Sequence, residues 1–589
     1  MINTNWDLSH LYTSNDKFLS DFENAKKMLK NIEKFKNNLK KNDKKILLDY
    51  FKADDEISVT LEKLAVYAKC KLDDDGKNQE NLKNYQMISD FFSNINERLA
   101  FAKTELSSLS NEFLNELKND EDFKDFDRVI DYILRNKAHT LSEDKEVLMA
   151  SLSGFQAQDD IYSNLSDVEM EHGSFIDENG EEIKLSNGTY ASFLKSPSQE
   201  IRKRVMKAFL AEYGKLNITF AMLYLSHVKY INFLAKEKGF ESALDMYTYR
   251  EEVSKDIIYK NIENVSKKAN LLQEYFELKK EFLKLDEFCS CDISAGFSDK
   301  KESISYEDAV NNVKNSFAPL GSDYVEMFEK AVKEGWIDAL PRDKKASGGY
   351  TISAFGSHPY ILLNFDGTES WASAIAHEFG HAMHSYYSES TQPYSKAQYT
   401  IFVAEVASLT NEILYINYRL QNETDRLKKI QIISEFLQVF YLNVFDASLL
   451  AEFELYAHDE LQKGVSLTAE ELNNKYLELN KKYFANKVVL TDEYVYNWSR
   501  KHHIFRDYYL YKYSTGFVSA SVVAQKIMND KDGEYLKKYK KFLSLGGSID
   551  PVSSLKVAEV DILSNDTYEI AFNLFEDYLK ELKRLTKEK

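Results

Sequence analysis

The chain has 589 residues, 43% of them hydrophobic and 29% charged, with only 20 Gly and 6 Pro, a balance that excludes collagen-like, linker and disordered chains. A formal charge of −19 repels phosphate backbones and anionic lipid, so neither nucleic acid nor a membrane surface is an expected partner. No apolar run approaches the roughly 18 residues of a membrane span, the opening MINTNWDLSHLY lacks a secretory pattern, and three cysteines make no legible disulfide framework, so the expected location is the cytoplasm.

Ile57, Leu61, Leu64, Ala65, Ala68 and Leu72 recur at three- and four-residue steps, and Ile88, Phe91, Phe92, Ile95 and Leu99 do the same beyond the DDDGK break at 73–77. The N-terminal part therefore reads as stacked amphipathic helices. Asn179-Gly180, between Phe175-Ile176 and Glu181-Glu182-Ile183, predicts a hairpin. In Ser196-Pro197-Ser198-Gln199-Glu200 a capping residue precedes a proline at the first helical position, which predicts a helix through Arg204 and Phe209. A domain division is expected there, with an N-terminal helical domain over 1–200 that ends in the hairpin and a second domain over 201–589.

Further helices are expected until Arg342. Glycines 348, 349 and 356 and Pro359 then surround two β-rich pieces, Tyr350 to Phe355 and Tyr360 to Phe365, which predict a small sheet before the next helix. That helix, starting from a cap at Asp366 or Thr368, carries Ala376-His377-Glu378-Phe379-Gly380-His381, the HExxH pattern. At 100° per residue the two histidines stand about 40° apart and one turn along the axis, so both imidazoles reach one cation. Glu378 between them has the chemistry of a general base and acid for hydrolysis by an activated water.

A catalytic zinc needs a third protein ligand and an open position. Glu405 and Glu412, seven residues apart on the helical pattern Phe402 to Glu412, share one face. Glu405 follows His381 by 24 residues, room for a helix end, a loop with Pro393 and a returning helix, and it is the expected third ligand. Glu412 is expected to orient an imidazole. His384 stands about 10 Å from His377 along the axis, too far to join it on one ion, and reads as a supporting or core residue. Two imidazoles and a carboxylate make zinc the default, one per chain, although cobalt or manganese suits the same donors.

At these residues the sequence resembles the thimet-oligopeptidase family of zinc metallopeptidases, and within it the oligoendopeptidase F branch. The resemblance rests on HEFGHAMHS at 377–385, FVAEVAS at 402–408, HPYILLNF at 358–365, YKYSTGF at 511–517 and WDLSHLY at 6–12. It implies a mostly α fold, a multi-helix two-lobed body around a deep substrate channel, with a small β-sheet beside the zinc helix. It also implies that His377, His381 and Glu405 bind zinc and that Glu378 is the base. Extended peptide would add to the strand Pro359 to Phe365, which puts Pro359, Tyr360, Leu362 and Asn364 at the substrate; Gly348 and Gly349 in PRDKKASGGY would lie over it. From the segment 501–511, His503 with Tyr509 and Tyr511 would serve the oxyanion, and Tyr508 would touch substrate.

The expected function is endopeptidase action on short oligopeptides; oligomeric state is not legible. An exopeptidase resembling a dipeptidyl carboxypeptidase would use the same groups. A di-iron carboxylate protein is the reading from another class, because Glu378-x-x-His381 and Glu169-x-x-His172 both have ExxH spacing, although Gly173 cuts the second one short. A silent peptide-binding scaffold would have no use for Glu378.

Overall fold

A computed structural model describes residues 2–153, 156–297 and 303–587. Helices dominate it, and the described strands form one two-stranded and one three-stranded sheet. The chain forms two compact units, each assembled from separate stretches. One unit comprises Met1–Glu146, Glu302–Tyr418 and Val523–Glu559; the other comprises Val147–Lys301, Arg419–Val522 and Val560–Lys589. The contiguous division expected near residue 200 does not coincide with these units, because the chain returns to the N-terminal unit after residue 302.

In the first unit the expected N-terminal helices are present. Lys44–Asp74 is capped by Asp43, whose carboxylate accepts the Lys45 and Ile46 N–H groups, and it buries Leu47, Phe51, Ile57, Leu61, Leu64 and Ala68. Gln79–Arg98 follows the break and is capped by Asn78. Their core continues through Phe18, Phe22 and Leu29 to Ala354 and Tyr360, so the helical layer packs directly on the sheet.

That sheet holds β3 (Ile337–Asp338), β4 (Tyr350–Ile352) and β5 (Tyr360–Leu362) in the order β3-β5-β4. β5 runs parallel to β3 and antiparallel to β4, with Thr351 opposite Ile361. The strand Ile337–Asp338 was not anticipated, since two residues carry no alternation to detect. Between β3 and β4, Lys345 Nζ donates to Asp338 Oδ1 at 2.6 Å and to the carbonyl of Leu340, while the N–H of Ala346 bonds to the Asp73 carbonyl. The loop before β4 is thereby stapled to the end of the helix Lys44–Asp74.

In the second unit the hairpin forms as expected, β1 (Ser174–Ile176) pairing antiparallel with β2 (Glu182–Lys184). The following helix is Gln199–Lys215, capped by Ser198. The capping role thus falls two residues later than expected, and Pro197 precedes the helix rather than opening it, because the Ser198 hydroxyl meets the Ile201 N–H. The side chains of Arg202 and Asp292 are both fully buried and bonded at 2.7 Å. Arg426–Gln462 is, contrary to the sequence reading, apolar and long enough to cross a membrane, but 67% of its most apolar window is buried inside the protein, as in a core helix.

Candidate active site

The helix Glu369–Thr391 begins at Thr368, whose own side chain caps nothing; Asp366 Oδ1 instead takes the N–H and hydroxyl of Thr368 at 3.0 and 2.7 Å. The helix Ile401–Asn422 lies against it. Gly380 is what lets the two meet, since a Cβ there would stand 2.5 Å from Ser408 Cα and 2.6 Å from the Ala407 carbonyl oxygen. Asn411 adds a bond from Nδ2 to the Ala376 carbonyl at 3.0 Å. On the buried side Phe379 is packed by Phe317, Tyr324 and Phe328.

This contact brings Glu405 to the two histidines. His377 Nε2 and His381 Nε2 are 3.2 Å apart, and each is 3.6 Å from Glu405 Oε2. Tetrahedral zinc bonds of ~2.0–2.1 Å put donor atoms about 3.4 Å from one another, so this donor set fits one such ion and leaves a fourth position free. Ser408 Oγ donates to Glu405 Oε2 at 2.9 Å and fixes that carboxylate. The Ala404 carbonyl holds the His381 ring.

His377 Nδ1 meets Glu412 Oε1 at 2.5 Å. Burial pulls His377 down, but Glu412, Glu378 and Glu405 outweigh it and hold the group up at about 9. Burial and the charge on His377 push His381 the other way. Glu412→Gln is expected to weaken divalent-metal affinity roughly 10–100-fold in a chelator competition; unchanged affinity would show that Glu412 contributes nothing to the donor set.

Glu378 is only 9% exposed. The Thr351 hydroxyl, from β4, lies 2.8 Å from both Oε2 and the backbone oxygen of Glu378, so β4 and the catalytic helix are joined at the proposed base. Burial raises the Glu378 carboxyl above the ordinary range, and His377 and Thr351 partly offset this. Thr351 escaped the sequence reading because nothing local to the strand marks it. The same holds for Tyr399, a half-buried phenol whose hydroxyl meets Ser385 Oγ at 3.1 Å. His384 stacks on that Tyr399 ring at 3.7 Å and is 1% exposed, so it is a core residue and bears on neither metal-facing imidazole by hydrogen bond.

The expected substrate strand needs correction. β5 is paired on both sides, and Pro359, Tyr360 and Leu362 are buried, so peptide has no edge to join there. β3 and β4 are the edge strands; the N-terminal segment bonds beside β3, through Asp7 N–H to the Gly335 carbonyl and Ala339 N–H to the Thr4 carbonyl, so among the described residues the open edge is that of β4. Asn364 instead ties the loop, its Nδ2 donating to the Ala346 and Gly348 carbonyls at 2.9 and 2.8 Å. Gly348 and Gly349 are exposed, Gly348 with a φ of 83°.

In the second unit His503, Tyr509 and Tyr513 form a cluster of half-buried rings, with centroids 6.3, 5.8 and 5.1 Å apart in pairs. Tyr513 was missed, although it stands one helical turn beyond Tyr509. Tyr511 is 1% exposed and its hydroxyl meets Glu251 at 3.3 Å, so it is interior rather than a member of this cluster. Tyr508 is likewise buried, at 3%, and cannot offer its phenol to a substrate. Of the second ExxH pair, His172 is buried and stacks on Phe209 at 4.9 Å. It joins no metal-capable group among the described residues, which removes the second half of a di-iron site.

Two imidazoles and a carboxylate set around one point, with a further glutamate beside them, define a hydrolase of the HExxH kind in a mostly helical body. Comparison with known proteins agrees. Residues 192–574 match peptidase family M3, and residues 105–171 match oligopeptidase F. The oligopeptidase PepF of Bacillus subtilis is 32% identical over 588 residues, 98% of this chain and 87% of that protein. A Chlamydophila abortus crystal structure assigned as a peptidase superposes with a TM-score of 0.91 at 29% identity, covering 99% of this chain and 98% of the other. Oligoendopeptidase-F from Enterococcus faecium gives 0.74 at 27% identity, with 97% and 99% covered. The chain belongs to the oligopeptidase F branch of peptidase family M3.

Proposed function

We propose that the protein is a cytoplasmic zinc endopeptidase that hydrolyses internal bonds of short oligopeptides. The observation that carries this reading is the donor triangle of His377, His381 and Glu405 with Glu378 next to it, within a chain whose relatives are named oligopeptidases and oligoendopeptidases. One zinc ion held by those three side chains would supply Lewis acidity to a substrate carbonyl and acidify a water. Glu412, at His377 Nδ1, would keep that ring turned so that its Nε2 stays beside His381 Nε2 and Glu405.

Glu378 supplies the proton chemistry. Its Oε2 is held by Thr351, so Oε1 is the atom that takes a proton from the attacking water as the water oxygen bonds to the carbonyl carbon. The same oxygen returns the proton to the departing nitrogen as the C–N bond breaks. His503 and Tyr509, with Tyr513 beside them, would donate hydrogen bonds to the oxyanion, as the family resemblance implies. An extended peptide would add to the open edge of β4, where backbone bonding tolerates many sequences.

The test is mass spectrometry of peptides of graded length with both termini blocked. Internal cuts in the short peptides, abolished by a chelator and restored by zinc, are expected. Cutting only after a terminus is unblocked would make the enzyme an exopeptidase, and intact peptides in every arm would overturn the reading.

A further inference from the structure

A second convergence of metal-ligating groups lies in the other unit. Glu454 and His458 are one turn apart on the helix Ala447–Gln462 and so share a face, and both are interior, at 1% and 2% exposure. Asp507 faces them from the turn after His502–Phe505. Ligand atoms of the three lie within 4.8 Å of one another.

Hydrogen bonds settle the state of the imidazole. Asn232 Nδ2 donates to the backbone carbonyl of His458 at 3.0 Å, which turns Asn232 Oδ1 to the ring, where it accepts the Nδ1 proton at 2.9 Å. Nε2 is then a bare lone pair. It makes no hydrogen bond, and Asp507 Oδ1 stands 4.0 Å away. A metal-bound histidine commonly shows this arrangement, with its second nitrogen donating to a fixed oxygen.

Neither carboxylate has a lysine or arginine partner. Glu454 accepts only the Tyr508 N–H, at 2.6 Å, and Asp507 accepts the Tyr247 hydroxyl at 2.6 Å and meets His227 Nε2 at 2.9 Å. Two buried carboxylates and an imidazole lone pair thus face one another, with His227 in contact with Asp507 and the charge of Lys512, itself paired to Glu251, also reaching Glu454. Burial pushes the Glu454 carboxyl well above the usual range and Asp507 adds to this, while the Tyr508 N–H and the charge of Lys512 only partly offset it.

We propose that Glu454, His458 and Asp507 form a second divalent-metal site, suited to zinc or manganese. The donors stand somewhat wider than in the first triangle, within 4.8 Å of one another. The ion fastens the helix Ala447–Gln462 to the turn that carries Asp507, between His503 and Tyr509. Its role is structural.

The test uses the full chain, stripped with chelator and titrated with zinc and with manganese by calorimetry, with bound metal counted by mass spectrometry. Two equivalents are expected for the parent, one for His458→Gln and for Asp507→Asn, and one for Glu405→Ala, which keeps only the second site. In Glu405→Ala added metal should also raise the melting temperature. A single equivalent in the parent that both second-site variants retain, or a folded Glu405→Ala chain that binds none, overturns the proposal and leaves a proton shared within the cluster. Two equivalents that survive both second-site substitutions overturn it as well.

Discussion

Replacement of Glu378 by glutamine is expected to lower kcat/KM on blocked peptides by roughly 10²–10⁴-fold, the usual contribution of a positioned proton-transfer group. The substitution keeps the shape of the side chain, and Thr351 can still donate to the amide oxygen as it does to Oε2 at 2.8 Å. The donor triangle is untouched, so bound zinc should remain at the parental level. Unfolding is not expected either, since a buried carboxyl held above its usual range by burial is replaced with a neutral group. Activity within tenfold of the parent, with metal in place, would remove Glu378 from the proton path and with it the proposed mechanism.

Gly380→Ala should damage both the fold and the metal-facing site. In an exposed helix interior, Gly to Ala gains up to ~1 kcal/mol from backbone propensity. Here the new methyl would meet Ser408 Cα at 2.5 Å, the Ala407 carbonyl oxygen at 2.6 Å and Ser408 N at 2.7 Å, all of them backbone atoms that no rotamer can move. Overpacking of this kind costs typically about 1–3 kcal/mol, and the helices must part to relieve it. Parting withdraws Glu405, which follows its helix with Ser408, from two nitrogens that it now faces at 3.6 Å. The expected outcome is a lower melting temperature together with metal affinity reduced at least about tenfold. A variant as stable as the parent that retains its zinc would show that the close approach is not what builds the site.

The parts of the site legible in the sequence are those that repeat at helical spacing. His377 and His381 are fixed by four residues of helix, and Glu405 and Glu412 by seven, so the metal-facing set follows once two helices are assumed to meet. What could not be read depends on partners distant in the chain. HPYILLNF is strand-like by composition, but whether it is an edge or a centre depends on Ile337–Asp338, a strand too short to carry a pattern. The tyrosines fail for a related reason. Tyr508 has a φ of 50° just before the helix Leu510–Asn529 starts, so residues on either side of it do not share one periodicity. Tyr509 and Tyr513 end on one side with His503, while Tyr511 turns inward to Glu251. The division into two units, each built from separate stretches, was not read from the sequence, although runs of four charged residues at 143–146 and 299–302 stand where the chain passes from one unit to the other.

The free edge of β4 has a further consequence, for solubility. An unpaired strand edge is a template for self-association, and proteins that keep one open must limit its reach. β4 offers three residues, roughly 10 Å of ladder. Exposed Gly348 and Gly349 precede it, and pairing stops at Ile352. Cross-β stacking draws on segments of about six or seven residues, so this edge, while long enough for the peptide pairing proposed above, is too short to nucleate a fibril from a second copy of the chain.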